Sequence, residues 1–181
     1  MIQTSRIFRT TLALAALVFA GTMSLPVQAQ QAAAAAKSPS QAVLENWNDI
    51  GRRLLVMADD WPADKYSYKL TPATRSFSAV MLHIAGSNYD LLNRITGTKM
   101  GDGRNDPAES DYKTKAEVIA YLKKSVDDGA AEIQKEGDAG VVKNLSDWIG
   151  YTEHMGEHYG LLVAYYRASN LVPPESRPKK K

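Results

Sequence analysis

The chain has 181 residues, no cysteine, and 22 basic against 20 acidic side chains. The missing cysteine excludes thiolate zinc sites, c-type haem attachment, thiol nucleophiles and disulfide scaffolds. The near balance of charge excludes a basic nucleic-acid-binding domain, since the one basic cluster, Arg177 and Lys179 to Lys181, sits at the C-terminal end as a solvated tail.

The first 29 residues have the form of a secretory signal peptide. Arg6 and Arg9 make a positive start, Leu12 to Ala20 is an apolar run of nine residues, and Val27-Gln28-Ala29 is a small-x-small cleavage site. The run is too short for a membrane anchor, so no span remains after cleavage. Export to the periplasm or beyond a bacterial cell is expected. Without Arg6 and Arg9 the mature chain carries 20 charges of each sign and is formally neutral. About 152 residues remain, enough for one domain with its own core.

Residues 30–40 are rich in Gln and Ala and read as a disordered spacer. Ser40 is the expected cap of a first helix, with Val43, Leu44, Trp47, Ile50, Leu54 and Met57 as its apolar stripe. Asp60 to Arg75 holds two prolines and three aromatics and predicts a loop covering one end of a bundle. A second helix is predicted from about Ser76 to Ile95, stopping at Gly97, with His83 on the flank of its stripe. Thr98 to Tyr112 reads as a loop. Its acids Asp102, Asp106 and Asp111 lack EF-hand spacing. Thr114-Lys115-Ala116-Glu117 is a capping box that starts a third helix, expected to end near Glu136-Gly137. A fourth helix is predicted from about Leu145 to Ser169, apolar or aromatic over half its circumference and therefore deeply embedded. Four amphipathic helices with two long links and one short one predict an all-α four-helix bundle over residues 41–174, followed by a basic tail at 175–181.

The chain has three histidines. His154 and His158 stand one helical turn apart on one face, and His83 lies on another long helix. Facing helices of a bundle commonly build metal sites, so a site would use His83, His154 and His158 together. Three neutral imidazoles leave a divalent ion its full charge and an open position, the pattern of a catalytic site. The set suits zinc, nickel, copper or iron, with zinc and nickel the leading choices. The competing expectation is a set of packed core histidines. His154-x-x-Glu157-His158 also matches the inverted zincin string, in which the glutamate is a general base. Glu157 points about 80° from the histidines on the helical wheel, toward solvent or a partner. A di-iron carboxylate site fails, since Val80, Tyr151 and Met155 stand three residues before the histidines.

Three segments resemble the DinB/YfiT-like superfamily of metal-binding helical proteins. They are Arg75-Ser76-Phe77-Ser78 through Leu82-His83-Ile84-Ala85, then His154-Met155-Gly156-Glu157-His158-Tyr159-Gly160, then Tyr166-Arg167 through Leu171-Val172-Pro173-Pro174. The resemblance implies a DinB-like bundle in up-down-down-up order, a divalent metal on His83, His154 and His158, and a homodimer. It implies a metal-dependent hydrolase or a thiol S-transferase-like enzyme acting on a small-molecule substrate. A non-catalytic metal-binding or stress-response bundle working through its dimer interface is the alternative. Gly160-Leu161 stands where relatives often carry Gly-Gln.

Overall fold

The computed structural model describes residues 37–178. The signal peptide expected at 1–29, most of the spacer and the last three lysines lie outside the described residues. Four helices make up the fold: α1 (Pro39–Asp60), α2 (Phe77–Thr96), α3 (Lys115–Lys143) and α4 (Leu145–Ala168). No strand occurs among the described residues. No helix among them is long and apolar enough to cross a membrane.

Caps fix the helix starts. Ser38, not Ser40, caps α1: its hydroxyl accepts from the Gln41 amide and the Gln41 side chain accepts from the Ser38 amide. Pro39 fits the first helical position because its missing N–H would have no partner there. The spacer therefore ends two residues earlier than expected. Ser40 instead donates from its amide and hydroxyl to Asp138 at the far end of α3. Ser76 caps α2 and Gly97, at φ 68°, closes it in the left-handed conformation. The Thr114–Glu117 capping box starts α3 as expected.

α3 is interrupted at the expected point, but a helical stretch follows the interruption. The helix breaks at Gly137 (φ 60°, ψ −169°) and then resumes to Lys143. That conformation is open in practice only to glycine. The break lets Glu136 accept from both Asn144 and the Trp148 indole at the start of α4.

α1 packs on α3 and α4, and α2 packs on the same two. α1 and α3 are antiparallel: Ser40 meets Asp138, the Trp47 indole donates to the Val126 carbonyl at 2.9 Å, and Lys115 donates to the Trp61 carbonyl. α2 and α4 are antiparallel too, with Arg94 near Asp147 and Arg75 near Tyr165. α1 and α4 run the same way: Trp47 meets Trp148 edge-on at 5.4 Å, and the Tyr166 hydroxyl donates to the Met57 carbonyl. Long links after α1 and α2 permit this parallel pair.

Three fully buried tryptophans dominate the core, and each indole N–H has an acceptor: Val126 O, Lys65 O and a Glu136 carboxylate oxygen. The 61–77 segment closes one end as expected, stacking Trp61 on Phe77 at 4.3 Å beside Tyr166. The chain after α4 is not a free tail from residue 175. Glu175 accepts from Arg52, and Arg177 donates twice to Asp60, so the packed domain extends at least to Arg177.

α4 is less embedded than its composition suggested. Trp148, Met155, Leu162, Tyr165 and Tyr166 are buried, but Leu161 is exposed and Ile149 is 56% exposed. The reason is its neighbours: α4 packs mainly on α1 and α2, with α3 diagonal to it. The arc with Tyr151, His154 and His158 faces the groove toward α2, half-buried.

Candidate metal centre

The antiparallel seam between α2 and α4 brings the three histidines together. Its register is held on one side by Tyr165, whose hydroxyl donates to the Arg75 carbonyl. On the other side Arg94 pairs with Asp147, and Tyr151 donates to Asp90 at 2.7 Å. Between these ties, His154 Nε2 lies 3.1 Å from His83 Nε2 and 3.1 Å from His158 Nε2. One ligand atom from each of the three falls within 4.8 Å of the others.

Hydrogen bonding alone cannot satisfy this cluster. A neutral imidazole Nε2 carries either one proton or one in-plane lone pair. His154 Nε2 faces two other Nε2 atoms, so at most one of the two contacts is a hydrogen bond. The outer nitrogens do not compensate, since Nδ1 of all three rings is buried and makes no hydrogen bond. Tetrahedral coordination at metal–nitrogen bonds of about 2.0–2.1 Å spaces its ligands about 3.3 Å apart. The two 3.1 Å spacings to His154 are close to that value, and the three ligand atoms lie within the 4.8 Å of one another that a shared ion needs. The cluster could hold a metal.

Burial and the neighbouring rings favour the neutral form of His154 and His158. Burial, then the neighbouring His154 and His83, push His158 down to about 4. Burial first and His83 second lower His154 as well. Neutral rings near pH 7 are the form that ligates a metal.

His83 differs from the other two in having an anion beside it. Asp106 Oδ1 stands 3.0 Å from His83 Nδ1, off the line of an aligned hydrogen bond. Asp106 is itself held by Arg75, whose Nε and terminal nitrogen donate to its two oxygens at 3.1 and 3.2 Å. The loop carrying Asp106 is pinned on α2. Glu109 accepts from Ser76 and Ser78 at the α2 N-terminus. Gly86 lies so close to the loop that a Cβ there would meet the Arg104 carbonyl oxygen at 2.5 Å.

A cleft of about 280 Å³ reaches His154 and is lined by Ser87, Ser146, Asp147, Gly150 and Tyr151. Glu157 is exposed and is not part of the histidine cluster. The general-base role in the H-x-x-E-H string therefore gains no support. Sequence reasoning brought the three histidines together but missed Asp106, weighed only against calcium-loop spacing, and the Arg75 clamp. No periodicity links a loop carboxylate to a helix face, so no local signal marked the pair.

No protein-family model matches the chain. No curated protein matches it either. Fold and site together define a four-helix bundle with a three-histidine cluster between α2 and α4.

Proposed function

We propose that this is an exported DinB-like protein that binds one divalent metal through His83, His154 and His158. The observation that carries this metal reading is the cluster of three histidines whose ring nitrogens lie close together and are not satisfied by hydrogen bonds. The pairwise helix directions, with α1 parallel to α4 and each antiparallel to one of the other two, support the up-down-down-up order that the resemblance implies. The metal would supply a Lewis acid able to acidify water or a thiol near neutral pH. The chain's own groups would do the rest. Three neutral imidazoles would leave the ion its full charge, and the cleft beside Ser87, Ser146 and Tyr151, which reaches His154, is where a small-molecule substrate would approach. A metal-dependent hydrolase or thiol S-transferase-like enzyme is the activity class this arrangement favours.

The test is elemental analysis of untagged mature protein. One zinc or nickel per chain is expected, with none in the His83, His154 and His158 triple alanine variant. Equal metal in both proteins overturns the site.

One observation favours the non-catalytic alternative as well. Val142 at the end of α3 and Leu145 and Ile149 at the start of α4 are exposed apolar side chains, which a homodimer interface would cover. Light scattering on Ile149→Glu against the parent protein would test the dimer. A screen of hydrolase and thiol-transfer substrates would test the enzyme.

A further inference from the structure

The three histidines are not equivalent, and the difference lies outside the cluster. Nδ1 of all three rings is buried and makes no hydrogen bond, but among the three only His83 Nδ1 has a carboxylate beside it, Asp106 Oδ1 at 3.0 Å. A lone pair on Nδ1 at that distance would repel the carboxylate, and an N–H there is attracted to it. The sign of this preference does not depend on an aligned hydrogen bond. We infer that Asp106, clamped by Arg75, is a positioning residue that keeps the proton of His83 on Nδ1 and thereby aims the Nε2 lone pair into the cluster.

Four features make the carboxylate a fixed part of the fold. Arg75 holds both oxygens of Asp106. The Arg75 backbone is in turn tied to α4 by the Tyr165 hydroxyl. Arg104 stiffens the loop by pairing with Asp102 at 2.9 Å and Asp111 at 2.6 Å. The close approach at Gly86 and the Glu109 contacts with Ser76 and Ser78 seat the loop on α2. Outer partners of this kind orient a ligating histidine and raise its basicity. The inference rests on the metal reading for its consequence, but the tautomer itself belongs to the metal-free protein.

Long-range 1H–15N spectra of metal-free protein with 15N-labelled histidine read the tautomer directly. His83 is expected as the Nδ1–H form in the parent protein and as a mixture, or the Nε2–H form, in Asp106→Ala. Zinc affinity, measured by competition with a chelator, is expected to fall about tenfold to a hundredfold in Asp106→Ala. Stoichiometry and thermal midpoint should be unchanged, since Asp106 is exposed. Asp106→Asn, which keeps an acceptor, should recover part of the loss, and Arg75→Ala should lose part of it. An Nε2–H tautomer in the parent protein, or equal zinc affinity in Asp106→Ala, overturns the positioning role while leaving the metal site standing. A parent protein that takes up neither zinc nor nickel overturns the metal site, and its His83 tautomer still decides for or against Asp106.

Discussion

The hydroxyl of Tyr165, near the end of α4, donates to the backbone carbonyl of Arg75, the residue just before the cap of α2. One bond thus ties the two helices of the histidine cluster at the edge nearest the Asp106 clamp. Tyr165→Phe keeps the packing against Phe77 and Tyr68 and removes this bond alone. Loss of about 1 kcal/mol is expected, read as a lower urea midpoint with an unchanged slope.

The histidines predict an acid-sensitive metal-free protein. His158 is held near 4 in the fold, against about 6.5 for free imidazole, and His154 is lowered in the same sense. Between those values the unfolded chain binds protons that the folded chain refuses, so stability falls as pH drops from about 6.5 toward 4. Above that window these groups contribute no pH dependence. Both rings are only half-buried, so solvent screening moderates the effect. Urea unfolding of the metal-free protein at pH 7.5, 6 and 5 checks it. His158→Gln should flatten the profile, and an equally steep profile in that variant would show that other groups cause it.

Two glycines should respond to alanine in opposite directions. Gly137 has φ 60° and ψ −169°, which alanine adopts only under strain, so Gly137→Ala is expected to cost about 1–3 kcal/mol. Gly160 is an exposed interior position of α4 where a Cβ would meet nothing within 4 Å. Gly160→Ala should gain up to about 1 kcal/mol. Paired thermal melts separate the two, and a neutral Gly137→Ala would remove the strained break from the account of α3.

Gly86→Ala probes the loop from a residue that is not itself a proposed ligand, three positions after His83 on α2. The new methyl would collide with the Arg104 and Asn105 carbonyls and must lift the loop that carries Asp106. Zinc affinity should fall by a factor similar to that for Asp106→Ala. A variant with full affinity and an intact fold would mean that the loop position is irrelevant to the site.

Periodicity made most of the fold legible. The stripes of α1 and α2 and the capping box of α3 lie where the sequence placed them, because those segments bury a face and obey local capping rules. The break in α3 falls at Gly137, where the sequence placed the helix end, but the helical stretch that follows to Lys143 was not legible. Beyond the break Glu136 bridges to Asn144 and Trp148, a pairing across the α3–α4 junction that no local pattern marks. Ser40 looked like a cap but serves Asp138, 98 positions away in the chain. The histidine cluster was legible because an i,i+4 pair and a lone third histidine limit the choices. Asp106 was not, since its role comes from a loop folded back on α2.

The opposed directions of α2 and α4 give the cluster a geometric property of its own. His154 and His158 are fixed to one rod about 6 Å apart along its axis, and His83 rides on the other rod with its ring 5.1 Å from the first and 4.9 Å from the second, centre to centre. Sliding α2 along α4 would bring His83 nearer one partner and carry it away from the other. Tilting or rotating the rods changes both separations together. The cluster therefore behaves as a vernier between the two helices: an ion bound there would lock axial register far more stiffly than crossing angle.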